Sequence, residues 1–382
     1  MTELEWRSAQ VAYFAQDKDR LILDAVRPAL EHCTGQVASA YFVRHWRRGP
    51  HLRLVVRATP EAFRETVEPA LEEFVGGYLA NHPSTAPALD EDRLLPMHRR
   101  LAEAEREPGP LTPFYTDNTI TWGEHDRRVD VLGCEVGADE LALFYTRTNA
   151  LVYEHLEAIS AGGLSRETLA LRLMLATAHT LCRHPEDPTI RRGFVSFRSH
   201  ADGYLSTVDQ ATREAFDARY AANRETLAAQ VRAVVAAFDT AEAAPLVRDW
   251  VAALDPLGQR WLDLYEAGEI PAAEIPGDEE NGLAGLHERS PLHRAIDENV
   301  AYKEMMYHDP RFQRYRLMLN YTYLHMARLG ITGLTRYLLC HLAANAVEDV
   351  YGVRALDLVL AYTAAHPNPQ TAGAPEAAAA GR

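Results

Sequence analysis

Strand-forming residues and helical spacing of apolar residues alternate along the first ninety positions. Val11, Tyr13 and Phe14 predict a strand over 6–14. Asp17 and Asp19 then precede Leu21, Ile22, Val26 and Leu30, which recur at helical spacing. Two further strands, over 40–46 and 51–58, flank the turn signal Arg48-Gly49-Pro50. A second helix opens where Thr59 can cap and Pro60 suits the first helical position, with Phe63, Val67, Leu71 and Phe74 as its stripe. The order is β-α-β-β-α, which is ferredoxin-like in local logic.

The pattern then loosens. Proline and charge over 81–113 predict a long connection, and Thr, Tyr, Ile and Trp over 114–124 predict another strand. From Asp139 the spacing of Leu141, Phe144, Leu151 and Leu156 turns helical, and a second helix follows over 165–182. Phe216, Tyr220, Leu227, Val231 and Val234 mark one or two long helices over 207–238. Proline, glycine and acidic residues over 271–286 predict a loop. Helices are expected over 290–308, 312–329 and 334–350, the first two separated by Asp309-Pro310. Residues 366–382, rich in Pro, Ala and Gly, are expected to be a disordered tail. The expected fold class is α+β: an antiparallel sheet packed by helices, with a long helical middle and C-terminal section. One domain over 1–365 accounts for the length, with the helical region 150–285 inside it.

Charge narrows the function classes. The 382 residues carry 54 Asp and Glu against 39 Lys and Arg, a formal net charge of −15, so backbone-driven nucleic-acid binding is disfavoured. Only Lys18 and Lys303 are lysines, so the arginine excess reads first as compositional bias. Cys33, Cys134, Cys182 and Cys340 form no CxxC pair, which fits a reduced, cytoplasmic setting without a disulfide framework. No apolar run is long enough for a membrane span, and no signal-peptide pattern opens the chain. GxSxG, GxGxxG, Walker and HExxH motifs are absent, and the 16 histidines show no metal-ligand spacing, so no metal and no cofactor are expected.

Two clusters carry candidate chemistry. On the strand 51–58, alternation puts His51, Arg53, Val55 and Arg57 on one face and Leu52, Leu54 and Val56 on the other. Arg44 on the neighbouring strand joins the first set or not, depending on register. Forked arginine donors suit carboxylates and amide carbonyls, while a solvated polar sheet face is the plainer reading. The second cluster is Ser290-Pro291-Leu292-His293 with Asn320-Tyr321-Thr322-Tyr323-Leu324-His325. Ser290 reads as an N-cap before proline. Tyr and His are competent proton carriers, and buried tyrosines are also ordinary core residues.

At these residues the sequence resembles the C-terminal, elimination-type domain of lanthipeptide and thiopeptide dehydratases. The resemblance rests on Trp6, on the phrase from Tyr41 to Trp46 followed by Gly49-Pro50-His51-Leu52-Arg53-Leu54, and on the stretch from Ser290 through Leu329-Gly330. It is weak over 150–285, which is therefore expected to hold subfamily-specific peptide contacts. Free-standing members are either glutamate eliminases or pyridine synthases, which join two dehydroalanines in a formal [4+2] aza-cycloaddition. Eliminases carry an arginine in an RYGG-like element, where this chain has Val131-Leu132-Gly133-Cys134. Their HMHxNRLG-like element aligns with Tyr323 in place of the first His, His325 in place of the second, and Ala327 in place of Asn. These departures favour the pyridine synthase.

The resemblance implies Tyr323 or Tyr321 as acid/base, Ser290 as a hydrogen-bonding group at the reacting amide and His293 as its orienting or relay partner. It implies Arg44, His51, Arg53, Arg57 and His325 as peptide-binding residues. The implied partner is a leader-bearing precursor peptide containing azoles and dehydroalanines, with dehydratase enzymes as associates and no nucleic acid or membrane. Two rivals stand beside this reading. One is a split glutamate eliminase; the other is a non-catalytic peptide-binding scaffold.

Overall fold

The computed structural model describes residues 3–182, 190–272 and 285–368. Most of the expected loop 271–286 and of the expected tail 366–382 lies outside them. The chain divides into two compact units, Met1–Ala170 with Tyr323–Thr332, and Leu171–Thr322 with Gly333–Arg382. The architecture is α+β, with helices and one small antiparallel sheet.

The sheet belongs to the first unit. Its strands are β1 (Glu5–Ala12), β2 (Ser39–His45), β3 (His51–Ala58) and β4 (Thr119–Glu124), in the order β2-β3-β1-β4 with every neighbour antiparallel. Cross-strand partners share a face. Ala9, Val11, Phe42, Leu52, Leu54 and Val56 form the apolar face, each at most 1% exposed. Phe63, from the helical run that follows β3, lies on this side, where the Arg7 guanidinium stacks 4.7 Å from its ring centroid. That run starts as its sequence dictates: Thr59 accepts the Ala62 N–H at 3.2 Å and Pro60 takes the first position.

One segment departs from expectation. Residues 81–113 are not one long connection, because Glu91–Glu105 is helical. Its charged, proline-containing sequence conceals the apolar periodicity. The local signal is the cap: Asp90 accepts the Arg93 N–H at 3.0 Å, with Glu91 and Asp92 in the first turn. The next helix starts at Glu135, four residues before Asp139, capped by Cys134. It ends at Arg147, and Asn149–Ser160 follows after Thr148.

Lys18 fixes the chain between β1 and the first helix. Lys18 is 6% exposed, and its ammonium donates to the carbonyls of Tyr13 and of Ala15, the latter at 2.6 Å. Burial and the nearby Arg44 lower its pKa from 10.5 to about 8. The unfolded chain therefore holds this proton more tightly between pH 8 and 10.5. The burial cost is full below pH 8 and is relieved as pH rises through this window. In urea titrations, wild type should gain about 2 kcal/mol relative to Lys18→Met between pH 7.5 and pH 10. Parallel pH curves for the two proteins would overturn this account.

The second unit is helical among the described residues. It includes Val195–Leu205, Gln210–Asp239, Pro245–Glu266, Pro291–Asp297, Val300–His308, Gly333–Tyr351 and Ala355–Ala365. The helices at 195–205, 245–266 and 355–365 had no counterpart in the sequence pattern. Trp250 is fully buried and donates its indole N–H to Thr177 at 3.0 Å, and Thr177 meets Thr322 at 3.1 Å. Gly258 permits a close helix crossing: a Cβ there would lie 2.6 Å from the Met318 sulfur. No helix among the described residues is long and apolar enough to cross a membrane.

Candidate functional site

The second face of the sheet is polar and covered. Register places Ser8 and Gln10 of β1, Tyr41 and His45 of β2, and His51, Arg53 and Arg57 of β3 on it. His51 is 1% exposed and Arg53 8%, so this is not a solvated face. The lid is the segment after helix Glu91–Glu105, whose Glu107 carboxylate is 3% exposed. Glu107 accepts from Arg53 at 3.2 Å and Arg128 at 3.0 Å, with His45 at 3.3 Å and Arg47 at 3.6 Å. Burial lowers the His45 pKa, so the ring is neutral. Its Nδ1 accepts the Arg47 backbone N–H at 3.1 Å, so Nε2 carries the proton toward Glu107. Burial alone would raise the Glu107 pKa, but the His45 hydrogen bond and the Arg53 charge hold it at about 2.

Arg44 lies on the opposite, apolar side, paired in register with Leu52. It donates to Asp19 at 2.8 Å and to the Arg328 carbonyl at 2.9 Å, while Arg166 donates to the second Asp19 oxygen at 2.6 Å. Gly330 closes this corner at φ +90°, and a Cβ there would lie 3.2 Å from Arg166.

Two groups near the end of helix Pro310–Arg328 are fully enclosed. Arg328 is 1% exposed and donates to the Tyr145 carbonyl and Thr148 hydroxyl, both at 3.1 Å, and to Asn149. Its guanidinium sits 4.5 Å from the Phe42 ring centroid. His325 Nε2 meets His155 Nδ1 at 2.9 Å, and both residues are completely buried. Burial, His155 and Arg328 lower the His325 pKa well below 6.5, so it is uncharged at neutral pH. Tyr321 and Tyr323, on the same helix, are each 4% exposed.

The second unit brings Ser290 and His293 together. Ser290 caps helix Pro291–Asp297, and its Oγ lies 2.7 Å from His293 Nδ1. His293 Nε2 lies 3.0 Å from Ser199 Oγ on helix Val195–Leu205. Burial, with neighbouring His200, lowers the His293 pKa to about 4. A neutral imidazole donates through one nitrogen and accepts through the other. The three side chains therefore form a directional chain, in which one serine donates to His293 and His293 donates to the other. Such a chain passes a proton without forming a stable charge.

Of the residues singled out by sequence, Ser290 pairs with His293, and His51, Arg53 and Arg57 share one sheet face. Arg57 reaches solvent with 37% of its side chain and stacks 5.4 Å from the Trp6 ring centroid. Ser199, Glu107, Arg166 and His155 escaped the sequence reading, and Asp19 entered it only as a helix-start residue. None lies in a periodic pattern or motif, and each meets its partner only through folding. Among the described residues no group of three or more His, Cys, Asp or Glu is placed to hold a metal ion.

Comparison with known proteins shows the family. A family model described as lantibiotic biosynthesis dehydratase C-term matches residues 6–347, and the chain belongs to that family. Its likeness extends to a particular enzyme. The solved structure of pyridine synthase TbtD from thiomuracin biosynthesis is 39% identical, with a TM-score of 0.72. The match covers 91% of this chain and 99% of that one. The crystal structure of TsrL, 24% identical over 94% of this chain and 98% of its own, shares the fold with a TM-score of 0.67. No curated protein matched by sequence.

Proposed function

We propose that this protein is a pyridine synthase of thiopeptide biosynthesis. The carrying observation is the 39% identity to a pyridine synthase across 99% of that enzyme's chain. The replacement of eliminase positions by Tyr323 and Ala327 supports the same choice.

In this reading the substrate is a leader-bearing precursor peptide with azoles and two dehydroalanines. One dehydroalanine amide tautomerises to the iminol, giving a 2-azadiene. The second dehydroalanine supplies two carbons, and two C–C bonds, one to the iminol carbon and one to the methylene carbon of the azadiene, close the ring. Loss of water, then elimination of the leader as a carboxamide, gives the aromatic pyridine. Holding both reacting groups in one pocket supplies about 7–11 kcal/mol of the barrier reduction. The remaining demand is proton transfer, which tyrosine, serine and neutral histidine meet without a cofactor.

Tyr323 or Tyr321 is assigned as acid/base. Ser290, aligned by His293, is assigned to hydrogen-bond the reacting amide or the departing hydroxyl. Arg44, His51, Arg53, Arg57 and His325 are assigned to the peptide, on a ferredoxin-like start. The setting is cytoplasmic, in association with dehydratase enzymes.

Purified protein incubated with a leader-bearing bis-dehydroalanine peptide should release macrocycle and leader amide, read by mass spectrometry. Activity only on glutamylated peptide, with the leader retained, would establish the eliminase instead. Tight binding without turnover of either substrate would establish a scaffold.

A further inference from the structure

The cluster around Glu107 has an unusual balance. Three arginines and a neutral histidine converge on one carboxylate that is 3% exposed. Two of these arginines also hold the segment that delivers it. Arg128 donates to the carbonyls of Glu105 and Arg106, the latter at 3.2 Å, and Arg47 donates to that of Pro108. Glu107 is thus bound as a carboxylate ligand would be, by guanidinium donors from β3, from the turn after β2 and from the segment after β4.

With the Glu107 carboxylate in place, the buried polar atoms left unpaired here include His51 Nε2 and the Nε groups of Arg47, Arg53, Arg57 and Arg128. His51 Nδ1 lies 2.9 Å from the Gly49 carbonyl, which can only accept, so Nδ1 carries the proton. His51 is neutral because burial and neighbouring His45 lower its pKa well below 6.5. Its Nε2 is therefore a buried acceptor without a hydrogen-bond partner in the structure. Arg53 Nε, two residues along the same face, is a buried donor without one. A buried polar atom left unpaired costs stability until a ligand pairs it. An unpaired acceptor and unpaired donors on one face suit a peptide amide, whose N–H donates and whose carbonyl accepts.

We propose that Glu107 is the internal occupant of a carboxylate-binding site on this sheet face, and that its presence makes the face select uncharged peptide over acidic peptide. The binding half stands on the geometry alone. The specificity half rests on the pyridine-synthase reading, in which the incoming peptide carries neutral dehydroalanines.

Removing the Glu107 carboxylate should open the site to an external one. Thermal unfolding of Glu107→Ala should shift upward with acetate or glutarate relative to chloride at equal ionic strength, by about 2–4 °C near ten times Kd. Wild type should show no such shift, and neither should the double variant Glu107→Ala/Arg53→Met. If Glu107→Ala does not fold unaided, its refolding yield in acetate against chloride is the readout, and a carboxylate-specific gain supports the site. Equal responses of Glu107→Ala and wild type, or no carboxylate-specific effect in unfolding or refolding, would overturn the proposal. A peptide bearing glutamate should compete with the neutral peptide on Glu107→Ala and not on wild type. Equal competition on both would remove the specificity role alone. The carboxylate shift is measured without turnover, so it remains readable if the catalytic reading fails.

Discussion

Tyr323→Phe should lower kcat for macrocycle formation by about 10²–10⁴-fold if Tyr323 is the acid/base, with little change in KM. Tyr321→Phe is the matched comparison, because the two tyrosines lie on one helix with equal 4% exposure. Only the tyrosine that moves the proton should give the large kcat effect. The other should lose no more than one hydroxyl hydrogen bond, about 0.5–1.5 kcal/mol of stability. Ser290 needs a finer control because it also caps a helix. Ser290→Ala loses cap and hydroxyl together, at about 1 kcal/mol of stability. Ser290→Asn keeps a capping oxygen but loses the hydroxyl aligned by His293. It should unfold like wild type while turning over as slowly as Ser290→Ala. Full rates in Tyr323→Phe, Tyr321→Phe and Ser290→Ala together would sink the assignment.

The largest stability effect is expected at Arg328. Burial lowers its pKa to about 10, so it remains a cation at neutral pH. Its described partners are neutral oxygens of Tyr145, Thr148 and Asn149 and the rings of Phe42 and Tyr145. Arg328→Ala removes donors from three acceptors and opens a cavity, a combined loss of about 3–5 kcal/mol in urea unfolding. Arg328→Met separates the terms. It refills much of the volume and relieves the cost of burying a charge, leaving the acceptors unmet, so about 1–3 kcal/mol should remain. If Arg328→Met matches wild type, the hydrogen bonds contribute nothing net and the residue acts only by filling space.

Arg328 also shows why part of the site was hard to read. In the sequence it is one cation among many in an arginine-rich chain. Its partners are 179 to 183 residues away. The same holds for Asp19 with Arg166, 147 apart, and for Ser199 with His293, 94 apart. Ser290 and His293 were legible because they pair within one turn, where sequence spacing and spatial spacing coincide. Helix Glu91–Glu105 was the reverse: its cap was written locally, but proline and charge masked the face.

The sequence by itself determined what depends on neighbours: strands 51–58 and 40–46 around their turn, the Thr59-Pro60 helix start, the Ser290 cap, and the division of β3 into two faces. Those follow from backbone preferences and from the two-residue repeat of a strand. Only the tertiary structure decided what each face meets. It set Arg44 against the apolar side through register, and it buried the polar side under Glu107. It also brought Ser199 to His293. A side chain's partner across a fold depends on packing and register between distant segments, and no local pattern records that choice.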